Sequence, residues 1–399
     1  MQKFINMVFG KVILFTIVPN KMKAFLKTNL LTFLFYINIG CVVVVLLSNL
    51  APLVDPSIFW PLALLGILFP ILIFISSIFI LFWLLVTPKR ALLSFIALLI
   101  SLPNLRTTFA VNFPSPFKQI KQPGSIRLVT WNVALMNYTE TDTVKAIKNN
   151  ALIFLKLKQT DADILCLQEF FTAVIPGNHY NLMDSIARTM NYPYLYFARD
   201  NPKFNEQFFM GTIIFSRYKI VDTFKINFSK PFIGSLIKTG IVINDDTIDV
   251  FTTRLQSVNF HRREYHDLNA IKSGKDGSFN KVKNIISKLR NAYAQRKEQV
   301  VLVKKSLNES KRPILFTGDI NDVPVSFTYS FLSKGMNDCW VNKGYGLGKT
   351  FQYLSPTLRI DHIFYSDKFQ ANQVERILSR DETDHYGIIA DFSLIKKEQ

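Results

Sequence analysis

The pattern of hydrophobic and polar positions changes near residue 110 of the chain. Before that point apolar residues are almost continuous, and beyond residue 125 short apolar runs alternate with polar and amphipathic stretches. Uninterrupted apolar runs of about 20 residues are typical of membrane helices, whereas short alternating runs are typical of α/β domains. The pattern therefore predicts an apolar helical region in residues 1–111 and a globular α/β domain in residues 125–397.

The apolar region is predicted to contain two or three transmembrane helices, at about residues 30–54, 58–86 and 91–108. The first two segments contain no charged residue and are long enough to cross a bilayer, which takes about 20 residues. The third is shorter and holds Arg106, so it either crosses the bilayer or lies at its surface. Residues 112–124 contain three prolines and a glycine and are predicted to be a linker.

Two clusters of basic residues bear on the orientation in a membrane. Lys21, Lys23 and Lys27 precede the first predicted span, and Lys89 and Arg90 follow the second. Loops rich in lysine and arginine are typically cytoplasmic, so both clusters are predicted to lie inside the cell. Two spans would keep the globular domain inside, whereas three would place it on the extracytoplasmic side. We expect three.

Charge and cysteine content narrow the class of partner only partly. A formal net charge of +18 favours anionic partners such as nucleic acid, lipid headgroups or small phosphate esters. The same excess also suits attachment to an anionic bilayer. The three cysteines do not make a disulfide framework, and the apolar surroundings of Cys41 and Cys166 predict that both pack in a core.

Strand-like and helix-like segments alternate in the globular domain. Strands are predicted at residues 126–131, 164–167, 212–215, 220–226, 241–253 and 313–316. Helices are predicted at residues 143–158 and 281–307. The first helix is expected to turn four apolar residues inward, namely Val144, Ile147, Leu152 and Leu155.

Polar residues follow the apolar strands at the points where the strands end. They are Asn132, Glu169, Arg254, Asp319, Asn321, Asp361, Asp384 and His385. A rigid scaffold that ends its strands at one edge brings such side chains into one cluster. Asp319 and Asn321 are two residues apart on an extended segment and share a face. A carboxylate beside an amide donor is suited to activating a water and stabilising developing negative charge.

The order and identity of these motifs resemble the endonuclease/exonuclease/phosphatase superfamily, which has a deoxyribonuclease I-like fold. The resemblance covers about residues 126–394, and its pairing with apolar N-terminal segments is similar to the membrane-anchored bacterial members. Residues 318–329 and 346–351 also fit that branch. The resemblance implies a four-layered α/β sandwich of two mixed β-sheets flanked by helices, preceded by a transmembrane helical region. It also implies a monomer.

The resemblance implies a metal site for Mg²⁺, or for Mn²⁺ in its place. Glu169 would be the principal ligand, since a hard cation prefers carboxylate oxygen and keeps several waters. Asp384 would support the metal. Asn132 would lie in the outer shell of the metal or contact the phosphate.

The resemblance also implies a catalytic set. Asp319 would orient or deprotonate the attacking water, and Asn321 would donate to an oxygen of the pentavalent phosphorus species. His385 would contact the scissile phosphate, and Asp361 would hold its imidazole in one tautomer. His362 follows Asp361 directly, faces the other way in a strand, and is expected to be a structural histidine.

The chain departs from the family pattern at Arg254, where members commonly have histidine. Arginine can bind a phosphate oxygen bidentately but cannot donate a proton to a leaving group at neutral pH. The predicted function is therefore metal-dependent hydrolysis of a phosphodiester or phosphomonoester from a membrane anchor. Two alternatives stay open: a phospholipid headgroup phosphodiesterase, and a catalytically impaired protein that binds phosphoesters. Substrate choice is assigned to the loops at residues 178–191, 200–207 and 257–280.

Overall fold

A computed structural model of the protein describes residues 20–203, 207–230, 232–258, 279–353 and 355–395. The described residues divide into two compact units. The first consists of the chain up to Leu47 together with Leu68–Leu102, and the second of Ser48–Ile67 together with Pro103–Gln399. The chain therefore leaves the second unit after Ile67 and rejoins it at Pro103.

The N-terminal helices follow the apolar segments of the sequence. In chain order they are α1 (Asn20–Ser48), α2 (Pro61–Val86), α3 (Pro88–Ile100) and α4 (Leu102–Thr108). Helix α1 over Thr28–Ser48 and helix α2 are each long and apolar enough to cross a membrane. Helices α3 and α4 form a pair bent by 62°. The described residues thus contain two candidate spans, or three if the bent pair is one span.

The bounds of the first two helices differ from those of the apolar runs predicted. Helix α1 ends at Ser48 rather than near residue 54, and α2 begins at Pro61 rather than at residue 58. Pro52 lacks the N–H that would continue α1. The Oδ1 atom of Asp55 then accepts hydrogen bonds from the backbone N and the Oγ of Ser57, at 2.8 and 2.7 Å. These local bonds favour a turn over a helix.

Polar contacts join the helices inside the first unit. The Oγ of Ser94 in α3 donates to the Oδ1 of Asn38 in α1 at 2.6 Å, and both side chains are buried. The Sγ atom of Cys41 in α1 and the Oγ atom of Ser76 in α2 lie 3.6 Å apart. Arg90 donates to a backbone carbonyl of α1 at 3.1 Å. Small and polar residues of this kind are typical of contacts between membrane helices, and they pack α3 against α1.

The second unit contains fifteen strands and five further helices among its described residues. They are β1 (Ala110–Val111), β2 (Ile126–Asn132), α5 (Thr143–Thr160), β3 (Ile164–Ala173), α6 (Leu182–Thr189), β4 (Tyr194–Phe197), β5 (Asn201–Lys203), β6 (Phe208–Ser216), β7 (Ile220–Asn227), β8 (Ser235–Ile243), β9 (Asp246–Arg254), α7 (Phe279–Glu309), β10 (Ile314–Asp319), α8 (Phe327–Ser333), β11 (Asn337–Asp338), α9 (Cys339–Lys343), β12 (Tyr345–Gly346), β13 (Asp361–Tyr365), β14 (Phe369–Ile377) and β15 (Gly387–Leu394).

The strands form two mixed sheets. The seven-stranded sheet has the order β14-β15-β2-β3-β6-β4 with β5 paired to β6, and the six-stranded sheet has the order β11-β13-β10-β9-β8-β7. Strands β2 and β3 run parallel, as do β9 and β10, and the other pairs are antiparallel. Strand β1 pairs separately with β12.

The two sheets pack face to face around an apolar core. Side chains of the seven-stranded sheet, such as Leu128 and Ile214, meet side chains of the six-stranded sheet, such as Ile237 and Leu315. Helices α5 and α6 cover the outer face of the first sheet, and α7 and α8 cover the outer face of the second. The fold is thus the four-layered α/β sandwich that the sequence predicted. Of the two cysteines that were predicted to pack in a core, Cys166 is fully buried.

The predicted inward face of α5 is wrong. Val144, Ile147 and Leu155 are exposed, and Leu152 is half-buried. The face that turns inward is Ala146, Asn149, Asn150, Ile153 and Leu157. It is selected by hydrogen bonds because Asn149 donates to the carbonyl of Asp381 at 2.9 Å, a long-range contact that periodicity does not reveal.

Two of the other predicted segments differ from the structure. The strand predicted at residues 241–253 is two strands, β8 and β9, because Asn244 takes a left-handed backbone with φ of 54° and turns the chain. The loop predicted at residues 178–191 contains helix α6. Much of the loop predicted at residues 257–280 lies outside the described residues.

Residues 112–124 contain no helix or strand, and the side chain of Asn112 donates to the carbonyls of Val341 and Gly344.

Candidate active site

Strand register brings the predicted polar residues to one edge of the sandwich. Asp319 at the end of β10 pairs with Arg254 at the end of β9 and with Asp361 at the start of β13. In the other sheet Asn132 at the end of β2 pairs with Gln168 in β3. The close approach of β10 to β9 needs Gly318, since a Cβ there would overlap the carbonyl oxygen of Thr253.

A bulge in β3 directs Glu169 into the site. The pairing of β3 with β6 shifts register between Leu167 and Phe170, and Glu169 has a φ of 49°. A non-glycine residue in this region is uncommon, and bulges typically re-aim a side chain beside a functional site. The regular alternation of side-chain directions along β3 would not by itself have predicted the direction of the Glu169 side chain.

A left-handed turn follows Asn132. The four residues Ala134–Asn137 all have φ values between 46° and 56°. The Oδ1 atom of Asn132 accepts from the backbone N of Ala134 at 3.1 Å, which fixes the orientation of the carboxamide. Residues held in sparsely populated backbone regions cluster at functional sites, and here the strained turn lies directly beside the site.

Asp319 is buried and held by two carboxamides. Its Oδ2 accepts from the Nδ2 of Asn132 at 3.0 Å and from the Nδ2 of Asn321 at 2.9 Å. Its Oδ1 accepts from the backbone N of Asn321, also at 2.9 Å. The Nδ2 of Asn321 donates in addition to the carbonyl of Leu255 at 2.9 Å. In this geometry both amide hydrogens of Asn321 are engaged, so its side chain positions Asp319.

His385 and Asp361 form a buried pair. The Nδ1 of His385 lies 2.8 Å from the Oδ2 of Asp361, and its Nε2 lies 3.9 Å from the Oδ2 of Asp319. Burial alone would lower the pKa of His385, but the carboxylates of Asp361, Asp319 and Asp384 raise it to about 10. Burial and the charge of Asp361 raise the pKa of Asp319 to about 6. The raised pKa of His385 favours an imidazolium at neutral pH, beside the carboxyl groups of Asp361 and Asp319.

Arg254 sits among the acids. Its Nε lies 2.5 Å from the Oε1 of Glu169 and 3.9 Å from the Oδ2 of Asp319. The Nε–H is not directed at either oxygen, so the contact is an ion pair without a hydrogen bond. The guanidinium also lies 5.7 Å from the centre of the Phe232 ring, which supports its other face.

Asp384 completes the acidic edge. Its side chain is partly exposed, and its Oδ1 lies 4.0 Å from the Nε2 of His385. Burial and the nearby charge of Glu169 raise the pKa of Asp384, although His385 lowers it. The predicted site residues line one cavity of about 520 Å³, with the exception of Asn132 and Asp361, which lie behind it.

The donor set fits a hard divalent cation. Glu169 and Asp384 present partly exposed carboxylates to the cavity, and the Nδ2 of Asn132 lies 3.2 Å from the Oε1 of Glu169. Asp319, Asp361 and His385 also place one ligand atom each within 4.8 Å of one another. That second group is already joined by internal hydrogen bonds, whereas the carboxylates of Glu169 and Asp384 face the cavity. Oxygen ligands of this kind are preferred by Mg²⁺.

Sequence reasoning missed several residues around the site. Arg296 of α7 pairs with Asp322 at 2.9 Å in a buried contact that ties the helix to the loop after β10. Phe351 packs edge-on against the ring of His385, with the centroids 5.1 Å apart. Ile67 of α2 lines the cavity. The spacing of the charged residues in the sequence gives no signal for an isoleucine inside an apolar run.

The expected structural role of His362 agrees with its position. The ring is buried, lies against Tyr329 and Phe364, and has its Nδ1 3.5 Å from the Oδ2 of Asp338. It lies outside the residues that line the cavity.

A sequence model of the Endonuclease/Exonuclease/phosphatase family matches residues 129–385, which is more than half of the chain. The chain belongs to that family. Members are generally hydrolases that act on phosphoester bonds, and they typically use a divalent metal. A second model, described as a domain of unknown function (DUF8431), matches residues 31–108. No curated protein matches the chain.

Solved structures that are similar to this chain come from several organisms. An endonuclease/exonuclease/phosphatase from Beutenbergia cavernae is 19% identical, with 68% of this chain and 72% of that chain covered and a TM-score of 0.48. The human Nocturnin catalytic domain with bound sulfate is 16% identical, with coverage of 68% and 94% and a TM-score of 0.48. D. rerio TDP2 complexed with single strand DNA product is 17% identical, with coverage of 67% and 99% and a TM-score of 0.46.

Proposed function

We propose that the protein is a membrane-anchored, Mg²⁺-dependent phosphoesterase that hydrolyses its substrate with a water activated by Asp319. The observation that carries this proposal is the arrangement of Asp319 between two carboxamides and 3.9 Å from the Nε2 of His385. A base works best when its pKa lies near the working pH, and the pKa of Asp319 is raised to about 6.

Each side chain has a task in this mechanism. Asp319 accepts a proton from the attacking water, and Asn132 and Asn321 hold the carboxylate in position. His385 stays protonated because Asp361 faces its Nδ1, so its Nε2–H is available to a phosphate oxygen. Arg254 adds a second cation at the opposite side of the cavity. Charge that develops on the phosphate oxygens is stabilised by groups that are already in place.

Glu169 and Asp384, with Asn132 behind them, would hold the Mg²⁺ ion. When bound, the ion would supply positive charge beside the phosphate and act as a Lewis acid. Glu169 is held toward the cavity by the bulge in β3, and its carboxylate has Arg254 as its other partner.

The test is a substrate panel on the full chain in detergent. Ethyl 4-nitrophenyl phosphate, 4-nitrophenyl phosphate, single-stranded DNA and RNA are each incubated with Mg²⁺ and with chelator. We expect hydrolysis of at least one ester that requires the metal and that Asp319→Asn abolishes. Binding of phosphoesters without turnover of any of them would instead support the catalytically impaired alternative, which Arg254 raised.

We also propose that three spans place the catalytic domain outside the cytoplasm. Both ends of Leu68–Leu102 connect to the same compact unit, which supports an even number of crossings for this part of the chain. Helix α2 would supply one crossing, and the bent pair α3–α4 would supply the return. The buried hydrogen bond between Asn38 and Ser94 supports this assignment, because it packs α3 beside α1. Lys89 and Arg90, between the two crossings, mark the cytoplasmic side.

Reporter fusions after Asp55, Lys89 and Gly124 test this topology. We expect outside, inside and outside, respectively. An inside result at Gly124 would mean that α3 does not cross, and it would move the catalytic domain into the cytoplasm.

A further inference from the structure

The wall of the catalytic cavity includes the start of a membrane helix. Ile67 of α2 packs on a cluster formed by Val323, Phe351, Leu358 and Ile360, and it lines the cavity together with the catalytic side chains. The contact is close because the preceding residue is glycine: a Cβ at Gly66 would overlap the carbonyl oxygen of Val325. The apolar helix therefore forms part of the site itself.

The length of α2 exceeds the thickness of the hydrocarbon core. Its 26 residues span about 39 Å at 1.5 Å per residue, whereas the hydrocarbon core is about 30 Å thick. The surplus of about 9 Å corresponds to roughly six residues, which is the length of Pro61–Gly66. On this count the part of α2 that fits the hydrocarbon core begins at Ile67, so the residue that lines the cavity directly adjoins the candidate span.

The unit that contains the cavity also has exposed apolar side chains near the candidate spans. Leu53 is 73% exposed and Ile58 is 81% exposed in the turns before α2, and Phe113 is 97% exposed just after α4. These positions flank the points where the chain leaves and rejoins the second unit. Exposed apolar residues next to spans are suited to the interfacial region of a bilayer.

The cavity has two chemically different walls. The polar wall comprises the catalytic acids, Arg254 and His385, and the apolar wall is centred on the cluster of Ile67, Val323, Phe351, Leu358 and Ile360. The apolar residues are Ile67, Leu135, Val258, Leu289, Val323, Phe351, Leu358 and Ile360. A free phosphate would contact only the polar wall, whereas a phosphate joined to a hydrocarbon chain would contact both the polar and the apolar wall.

Few cations line the cavity among its described residues. Its described lining has two arginines, and each is already paired: Arg254 with Glu169 and Arg296 with Asp322. Binding of nucleic acid relies on several cations that neutralise successive phosphates. The lining offers one phosphate position beside an apolar wall and no row of such cations among its described residues.

We propose that the substrate is an amphiphilic phosphoester that stays inserted in the bilayer while its phosphate enters the cavity past Ile67. The proposal rests on the phosphoesterase function proposed above and names its substrate class. The hydrocarbon part contacts the apolar wall and the adjoining lipid, and the phosphate reaches Asp319, His385 and Arg254. No step requires the substrate to leave the membrane.

The test compares two diesters that have the same reacting group. The full chain is reconstituted in phosphatidylcholine vesicles and given either hexadecyl 4-nitrophenyl phosphate, which inserts in the vesicles, or ethyl 4-nitrophenyl phosphate, which stays in water. Both assays contain the same vesicles and Mg²⁺. We expect kcat/KM for the hexadecyl ester to exceed that of the ethyl ester by at least about tenfold, as burial of two or more methylenes would give.

A pair of variants locates the effect. Ile67→Asn should lower the hexadecyl-to-ethyl ratio of kcat/KM by about fivefold or more, because a polar group then replaces apolar wall. Val144→Asn, on the exposed face of α5, should leave the ratio and both rates unchanged. If Ile67→Asn fails to fold, Ile67→Ala is compared in the same way.

The outcomes separate this inference from the proposed function. Equal kcat/KM values for the two diesters, or faster hydrolysis of an oligonucleotide than of the hexadecyl ester, would overturn the amphiphile proposal and leave a phosphoesterase. No turnover of any ester, with Mg²⁺ present, would overturn the proposed function and the inference with it.

Discussion

The Nε atom of Arg254 lies 2.5 Å from the Oε1 atom of Glu169. The carboxylate that is predicted to bind the metal therefore already has a cation beside it, contributed by the neighbouring sheet. In an acidic cavity the guanidinium reduces repulsion among Glu169, Asp319 and Asp384, and it stands where family members commonly carry histidine. Arg254 and a metal ion would both draw on the negative charge of Glu169, so metal affinity and rate are linked through this one contact.

The first prediction concerns metal binding at Glu169. Glu169→Gln removes a charged oxygen ligand while keeping the size of the side chain, so Mg²⁺ affinity should fall by about tenfold or more. Isothermal titration calorimetry of both proteins in detergent measures the difference. Glu298→Gln, on the exposed face of α7, is the control and should bind Mg²⁺ as the parent does. Equal affinity in the parent and Glu169→Gln would remove Glu169 from the metal site.

The second prediction concerns Asp319 and His385 as one unit. Each alanine substitution should lower the rate by about 10²–10⁴, because one removes the base and the other the cation that faces the phosphate. The double variant should be little slower than the slower single variant, since each residue depends on the other. The rates are measured on the best substrate of the panel, with circular dichroism to confirm the fold. A single variant with near-normal turnover would contradict the mechanism.

Sequence reasoning reached the sandwich because its signals are local. Apolar strands that end in Asn132, Glu169 or Asp319 are visible as runs with a polar residue after them, and the family resemblance supplied their order. The sequence-predicted residues that lie together in the structure were found in this way. Their roles in metal binding and catalysis stay predictions.

The features that sequence reasoning missed depend on contacts between distant segments. The inward face of α5 is decided by Asn149, which bonds the carbonyl of Asp381 more than two hundred residues away. The direction of Glu169 is decided by a bulge against β6, and the part played by Ile67 is decided by its packing on Leu358. Periodicity within one segment holds no information about such partners.

The third prediction concerns stability and pH at Glu382, which anchors the loop before His385. Lys156 lies 2.6 Å from its Oε1, and the Oγ of Ser379 donates to its Oε2 at 2.8 Å. Burial alone would raise the pKa of Glu382, but these partners and the backbone N of Arg380 lower it to about 2. Glu382→Gln should lower the free energy of unfolding at pH 7 by about 1–3 kcal/mol, because buried donors lose a charged acceptor.

The sign of the pH dependence follows from the lowered pKa. The unfolded value is about 4.3, so the contribution of Glu382 is present above that pH and is lost as the pH falls toward 2. Denaturant titrations at pH 7 and pH 3 should therefore show a smaller difference between parent and variant at pH 3. Glu140→Gln, which breaks an exposed pair with Lys145, should change stability less at either pH. A difference for Glu382→Gln that grows on acidification would refute the assignment.

The last prediction concerns the chemistry of Arg254. If the guanidinium binds phosphate as charge develops on its oxygens, Arg254→Lys should lower kcat by about tenfold or more. A lysine is a point charge that cannot contact Glu169 and a phosphate oxygen with a planar fork. Arg254→His should retain or raise activity by restoring the group that is common in the family. Arg188→Lys, on the surface of α6, is the control and should leave kcat unchanged.

The same variants separate a phosphate clamp from a site that has lost its activity. In an inactive binding protein, the parent, Arg254→Lys and Arg254→His would all fail to turn over any ester, while anionic ligands would still bind. Measurable turnover by the parent excludes that case. Parental kcat in Arg254→Lys would mean that the charge at position 254 only balances Glu169. A loss in Arg254→Lys with unchanged Mg²⁺ affinity would place the contact of Arg254 on the phosphate, because a change in charge balance alone would alter metal binding as well.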